Sequence, residues 1–241
     1  MKKSSLILLI LAGLFIASLI GSDLVLKNEY DRIDKSDPFW NYTKLNKGVF
    51  HHISMTGSNV TRISFIPGPH SSMGVLNYWE KQLRSRIESS ISNDTLFIKF
   101  KERTDPPDIR NWMKYHVLVT ISCPDLISVN GLNSNLDIFK LNQKGLSVSL
   151  TGKSAMEVES YNSDFDSIFV SQKDSSQLKF EMSEEIRGSG IMRAKILNAD
   201  VQGYSLLDVG HFQLQTIHES VGDSSGIIVS GNTLKRLKYI Q

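Results

Sequence analysis

The sequence predicts a mostly β, solenoid-like domain behind one N-terminal transmembrane helix. Three observations predict it. Ser4 to Ser22 carries no charge and is largely apolar. From residue 48 onward, short segments rich in β-branched and aromatic residues are bounded by Gly, Pro, Asn or Asp. Beyond Leu126 such segments return at intervals of about twenty residues, the mark of stacked repeats.

The apolar run is long enough to span a bilayer, which takes about 20 residues. Leu24-Val25-Leu26 extends it past Asp23, so residues 1–26 read as an anchor, with residues 5–26 in the membrane. A cleaved secretory signal is the competing reading, but no A-x-A site closes the run, and no cysteine near residue 20 offers a lipid attachment. Lys2 and Lys3 hold the start of the chain in the cytoplasm by the positive-inside tendency. Either reading exports the rest of the chain, as the periplasmic or extracellular domain of a single-pass membrane protein. Residues 27–47 are polar and charged and read as a juxtamembrane linker, with the aromatic group Phe39-Trp40-Asn41-Tyr42 as a first packed element rather than an interfacial belt.

Residues 48–241 form the β domain. Strands are expected at 60–66, 95–100 and 115–121. Tyr78 to Ile91 reads as a weak amphipathic helix or a loop carrying a strand, because Trp79, Leu83, Ile87 and Ile91 recur every fourth residue. Asp105-Pro106-Pro107-Asp108 excludes regular structure. Then come Leu126 to Gly131, Leu146 to Gly152 and Ser167 to Ser171, with Leu136-Ile138, Met156-Val158 and Leu178-Phe180 between and just after them. Further segments are Ala194 to Leu197, Phe212 to Gln215 and Gly226 to Gly231. One such repeat cannot bury its apolar side; stacking lets neighbours share backbone hydrogen bonds and a continuous core. A β-sandwich with evenly spaced strands is the alternative architecture.

These features resemble the head GIN domain of auto-transporter adhesin-type proteins. The resemblance runs from about Phe50 to Lys238. It is carried by the strands around Ile53 to Ile66, by Thr95 to Phe100 after an Asn-Asp turn, and by Val117 to Ile121 running into Pro124-Asp125-Leu126 and Val129. Gly188-Ser189-Gly190 ahead of Leu197 and Val201, and the closing Ile228-Val229-Ser230-Gly231-Asn232, complete it. It implies a right-handed β-helix on the non-cytoplasmic side of a bacterial envelope, with no catalytic residues to carry over. The repeats here hold more Lys, Glu and Gln, and fewer Gly-Ser turns, than that pattern.

Candidate chemistry is sparse. A net charge of +2 gives no reason to expect nucleic acid. Cys123 is the one cysteine and sits among apolar residues, as a buried small hydrophobe does. His51 and His52 open a strand and should point to opposite faces, while His70, His116, His211 and His218 have no ligand spacing, so no metal or cofactor is expected. Asp164 with Asp166, and Glu157 with Glu159, are the carboxylate pairs a sugar-cleaving enzyme could use; a solvated polar face is the plainer reading. Glu181, Glu184 and Glu185 read as an exposed turn. Tyr78, Trp79 and Trp112 lie in irregular insertions and are the candidate contact surface. Nucleotide and nucleophile-elbow motifs are missing.

The function expected is therefore an anchored adhesin-like binding or envelope scaffold protein, not an enzyme, with an envelope protein or a carbohydrate as partner. A polysaccharide-active enzyme on the same scaffold, and a self-assembling homo-oligomer with Leu234 to Tyr239 as a basic end cap, are the two alternatives.

Overall fold

The structure is a computed structural model and describes residues 3–83, 85–101, 116–160, 163–182, 192–210, 212–235 and 237. The chain divides into two units, residues 1–40 and 41–241. The first holds α1 (Lys3–Asp31), 29 residues long. At 1.5 Å per residue it extends about 43 Å, more than a bilayer core of roughly 30 Å. Ile7–Asp31 is long and apolar enough to cross a membrane, a test a signal sequence also passes. The helix outruns the expected residue 26, because Lys27 to Asp31 contains no Gly or Pro to stop it.

The second unit is mostly β. Its strands are β1 (Tyr42–Lys47), β2 (His52–Thr56), β3 (Arg62–Phe65), β4 (Ser72–Leu76), β5 (Ile87–Ser92), β6 (Thr95–Phe100) and β7 (Val117–Ser122). They continue as β8 (Ser128–Leu132), β9 (Asn135–Phe139), β10 (Gly145–Thr151), β11 (Ala155–Ser160), β12 (Ser163–Gln172) and β13 (Gln177–Met182). The last are β14 (Met192–Val201), β15 (Leu206–Asp208), β16 (Gln213–Val221) and β17 (Gly226–Ile228). A short helical turn, α2 (Glu80–Leu83), lies between β4 and β5, and another, α3 (Gly231–Leu234), follows β17.

The strands form two sheets. One has nine strands in the order β1-β4-β7-β3-β9-β11-β13-β15-β17, the other eight in the order β16-β14-β12-β10-β8-β2-β6-β5. From β8 onward the chain enters the two sheets by turns, and every pairing there is parallel. Ser128 aligns with Ser147, and Asn135 with Ala155, which is the expected interval of about twenty. Between β13 and β15 the offset grows: Gln177 aligns with Leu206. One hydrophobic cluster fills the space between the sheets. The pattern is period two: Leu146, Val148 and Leu150 of β10 are buried, while Ser147 and Ser149 face outward.

Residues 42–122 depart from that repeat. Here β1 pairs antiparallel with β4, β4 with β7, and β5 with β6, so both sheets are mixed. β2 and β3 do not sit at the start of the stack; β2 lies between β8 and β6, and β3 between β9 and β7. The stretch read as a linker contains the end of α1 and all of β1. Tyr78 to Ile91 holds a 3-10 turn at Asn77–Trp79, the single turn α2, and then β5, so the four-residue spacing there is mostly not helical. Asp105 to Asp108 and Gly188 to Gly190 lie outside the described residues.

A column of buried serines fixes the corner where the chain passes from the eight-stranded to the nine-stranded sheet. Ser134, Ser154, Ser176 and Ser205 are each at most 3% exposed. The Ser134 amide donates to Ser154 Oγ at 3.1 Å, the Ser176 amide to Ser205 Oγ at 3.3 Å, and the Ser205 amide to Ser225 Oγ at 3.3 Å. The chain reverses there through left-handed backbone at Asn133, Gly152, Asp174, Ser175, Gly203 and Tyr204. At Gly152 (φ +68°) a side chain would run into Asn133 Oδ1, which accepts the Lys153 amide at 2.9 Å.

Candidate functional site

Strand register assembles a surface that sequence position scatters. Outward residues of the eight-stranded sheet line up in two rows that cross the strands. One row, from β6 to β16, is Thr95, His52, Ser128, Ser147, Phe169, Asn198 and His218. The next, over the same strands, is Phe97, Ser54, Asn130, Ser149, Ser171, Asp200 and Ser220. Of these fourteen positions only Asp200 is formally charged. Exposed sheet faces ordinarily carry interspersed Lys, Arg, Glu and Asp, which keep them soluble and unpaired. Apart from Asp200 these two rows are made of hydroxyls, amides and imidazoles, with two exposed rings: Phe97 at 44% and Phe169 at 52%.

Around Phe169 the face is concave. A recess of about 670 Å³ open to solvent is bordered by Phe169, Ser171, Asn198, Asp200, His218 and Ser220, with Glu219 of the edge strand β16 at its margin. The Gln202 amide ties its far rim, donating to Asp200 Oδ1 at 2.8 Å and Ser220 Oγ at 3.2 Å. Toward the strand starts a second recess holds charges that pair with each other: Arg193 with Asp164 at 3.4 Å, and Lys195 with Asp166 at 2.6 Å. There Asp166-Ser167 and Lys195-Ile196 are both outward pairs of consecutive residues, as a bulge repeated on adjacent strands produces.

The outer face of the nine-stranded sheet is built differently. Its central row is Ser64, Asp137, Glu157, Lys179 and Asp208. Arg62 grips Asp137 through Nε at 2.7 Å and Nη2 at 2.6 Å, offsetting the burial that raises that carboxyl. The Glu157 carboxyl is pushed up to about 7, first by its hydrogen bond with Glu181, then by burial and by the Glu181 charge, against the Lys179 ammonium 3.9 Å away. The folded chain thus keeps a proton that the unfolded chain releases near the ordinary glutamate value of 4.5. Stability from this pair is full below that pH and declines as pH rises to about 7. The urea midpoint is expected to fall over that window, and Glu157→Gln, which holds the neutral form, is expected to flatten the fall. An unchanged slope in the variant counts against the shared proton. Glu157 is partly exposed, so solvent screening keeps the effect small.

The comparisons concern fold. No family model matches the chain, and no curated protein matches it. A candidate adhesin from Parabacteroides merdae ATCC 43184, solved by crystallography, superposes with a TM-score of 0.55 at 13% identity, over 78% of this chain and 71% of that one. A candidate adhesin from Bacteroides fragilis NCTC 9343 gives 0.45 at 12% identity, covering 78% and 95%. A candidate lipid binding protein from Parabacteroides distasonis ATCC 8503 gives 0.38 at 12% identity, covering 78% and 95%. The likeness to the first is one of architecture.

The residues singled out in the sequence are placed elsewhere than on the two rows, except for two histidines. Tyr78 is 83% exposed and stands edge-on to Trp79, centroids 5.7 Å apart, while Trp79 is partly buried against the core. Trp112 and His211 lie outside the described residues, as do Glu184, Glu185, Arg236, Lys238 and Tyr239. Leu237 packs against the core. The four paired carboxylates separate: Asp164 and Asp166 lie on the outer face of one sheet, Glu157 and Glu159 on that of the other. His52 and His218 are the exceptions, placed near the start and at the end of the first row.

His51 and His52 correct the expectation of opposite faces. Both approach Asp94: His51 Nδ1 lies 2.8 Å from Oδ2, and His52 Nε2 lies 4.0 Å from it. His52 Nδ1 is 2.7 Å from Ser128 Oγ. The strand begins only at His52, so His51 escapes the alternation, and Asp94 reaches both from the left-handed turn between β5 and β6. Among the described residues no group of three or more His, Cys, Asp or Glu is arranged to hold a metal. Cys123 is fully buried, its Sγ 3.2 Å from the Asp125 carbonyl; burial pushes its thiol up to about 12, which leaves it neutral and unreactive. Phe169 escapes a reading of the sequence because a Phe between Ile168 and Val170 in a strand reads as core.

Proposed function

We propose that this chain is a membrane-held, adhesin-like binding protein whose domain lies on the non-cytoplasmic side and works through the outer face of its eight-stranded sheet. The observation that carries this reading is the pair of nearly uncharged rows with Phe169 and Phe97 exposed on them. An unpartnered sheet face of that composition is a contact surface rather than a solubilising one. The sheet-to-sheet passage from β8 to β17 supports a β-solenoid of head GIN type, with residues 42–122 as an irregular first end. The likeness in architecture to a candidate adhesin supports a binding role, and the apolar helix supports anchoring through α1. The pairing of Asp164 and Asp166 with Arg193 and Lys195, on a different sheet from Glu157 and Glu159, supports a protein without catalysis.

The test uses the whole chain. Liposomes carrying it are expected to sediment with bacterial cells. Ser171→Lys places an ammonium in the middle of the second row and is expected to weaken that sedimentation at least tenfold, since an unpaired charge must be desolvated on contact. Its unfolding midpoint should hold, because Ser171 faces outward. Equal sedimentation by both proteins would remove the assignment of this face.

A further inference from the structure

Resting on that reading, we propose that the ligand of this face is an uncharged glycan that lies across the strands, with one sugar ring stacked on Phe169. The occupant is selected by elimination on chemistry. Nucleic acid and anionic polymers are captured by clustered Lys and Arg. The two rows contain neither; Lys99 stands alone beside Phe97 on β6, and Arg193 and Lys195 toward the strand starts are paired with Asp164 and Asp166, so no cluster of cations faces the recess. A lipid surface or an amphipathic helix needs a continuous apolar strip. Phe97 and Phe169 are on β6 and β12, four strands apart in the sheet, or about 19 Å at ~4.8 Å per strand. Only hydroxyl, amide and imidazole groups lie between them. An extended peptide adds to a sheet through an edge strand with free backbone groups. β8, β10, β12 and β14 are paired on both sides, so the middle of this face offers side chains alone.

What remains is a ligand that is neutral, rich in hydroxyls, and apolar on one ring face. The recess supplies matching groups. Phe169 offers a flat ring that costs little to order. Asn198 and Asp200 stand on the strand beside it, one in each row, and His218 and Ser220 on the strand beyond. Amide, carboxylate, imidazole and hydroxyl groups can each bond a sugar hydroxyl. The rows repeat a polar side chain at nearly every strand, so a polymer running perpendicular to the strands meets a comparable set of groups at each step.

The probes are neutral oligosaccharides of glucose, mannose, galactose and N-acetylglucosamine, six residues long by choice of about one per strand across the rows, against uronic-acid oligosaccharides of equal length. Binding is measured by calorimetry on the full chain in detergent. At least one neutral series is expected to bind and the anionic series not. Phe169→Ala is expected to weaken that binding by roughly tenfold and Phe169→Tyr to preserve it. Neither should move the unfolding midpoint, because the ring is exposed. Absence of neutral-glycan binding, preference for the anionic series, or equal binding by Phe169→Ala would each overturn the proposal. If cell sedimentation is nonetheless lost in Ser171→Lys, the face assignment survives and the ligand class alone is wrong; if that loss is missing as well, both fail.

Discussion

Phe165→Ala is expected to destabilise the domain by about 3–5 kcal/mol, the range for removing an enclosed aromatic ring. Phe165 is 1% exposed, its ring centroid is 6.2 Å from that of Phe212, and Phe212 in turn lies 5.1 Å from Phe180. The three rings come from both sheets and from the approach to β16, so they tie the last third of the stack together. Alanine already stands next to Phe165 in the ladder, at Ala194, which leaves no larger neighbour on that side to collapse into the space. Against a total of roughly 5–15 kcal/mol, the loss is a large share. For a domain of this size it corresponds to a fall in Tm of about 6–20 °C. Phe169→Ala, four residues along the same strand but outward, is expected to stay within about 0.5 kcal/mol. Comparable losses in the two variants would mean that the inward and outward assignments along β12 are wrong.

Ser154→Ala is expected to cost about 1–3 kcal/mol, the range for leaving a buried polar group unsatisfied. Ser154 Oγ accepts the Ser134 amide and donates to the Thr151 carbonyl at 2.7 Å. Alanine leaves both without that partner at a buried corner. Ser147→Ala removes a hydroxyl from the outer row and should be nearly silent. Urea unfolding of the two variants separates the cases. A silent Ser154→Ala would show that the corner is held by backbone turns alone.

That serine column is legible in the sequence, though only as part of a pattern. Each corner reads as serine, any residue, then an apolar residue: Ser134-Asn135-Leu136, Ser154-Ala155-Met156, Ser176-Gln177-Leu178, Ser205-Leu206-Leu207, Ser225-Gly226-Ile227. The apolar residue starts the inward side of the next strand, and the serine closes the turn before it. The strand repeat beyond Leu126 is readable for the same reason, since period-two burial leaves a direct trace. β15 is overlooked because three residues give too little alternation. Residues 42–122 are harder. Antiparallel hairpins and parallel ladders have the same composition, and no local signal says that β2 and β3 belong between later strands. The outer face of the eight-stranded sheet is out of reach of a linear reading. Its two rows exist only once register is known, and a one-residue slip would turn every serine in them inward. Tyr78 and Trp79 draw attention because bulky aromatics in irregular segments stand out, whereas Phe169 and Phe97 are hidden among ordinary strand residues.

The placement of β2 and β3 has a consequence for how the polypeptide reaches its native state. His52 aligns with Thr95 on one flank and with Ser128 on the other. These two early strands therefore have both flanks supplied by segments made tens of residues later. They cannot serve as a template on which the remainder winds progressively from one end. β6 and β7 fill one flank of each, but the other flank of each stays bare until β8 and β9 are available, and each closure spans a long loop whose entropy slows assembly. During that interval the bare edges are the most adhesive part of the molecule, so nascent chains halted before residue 132 should depend on holding factors far more than chains halted after it.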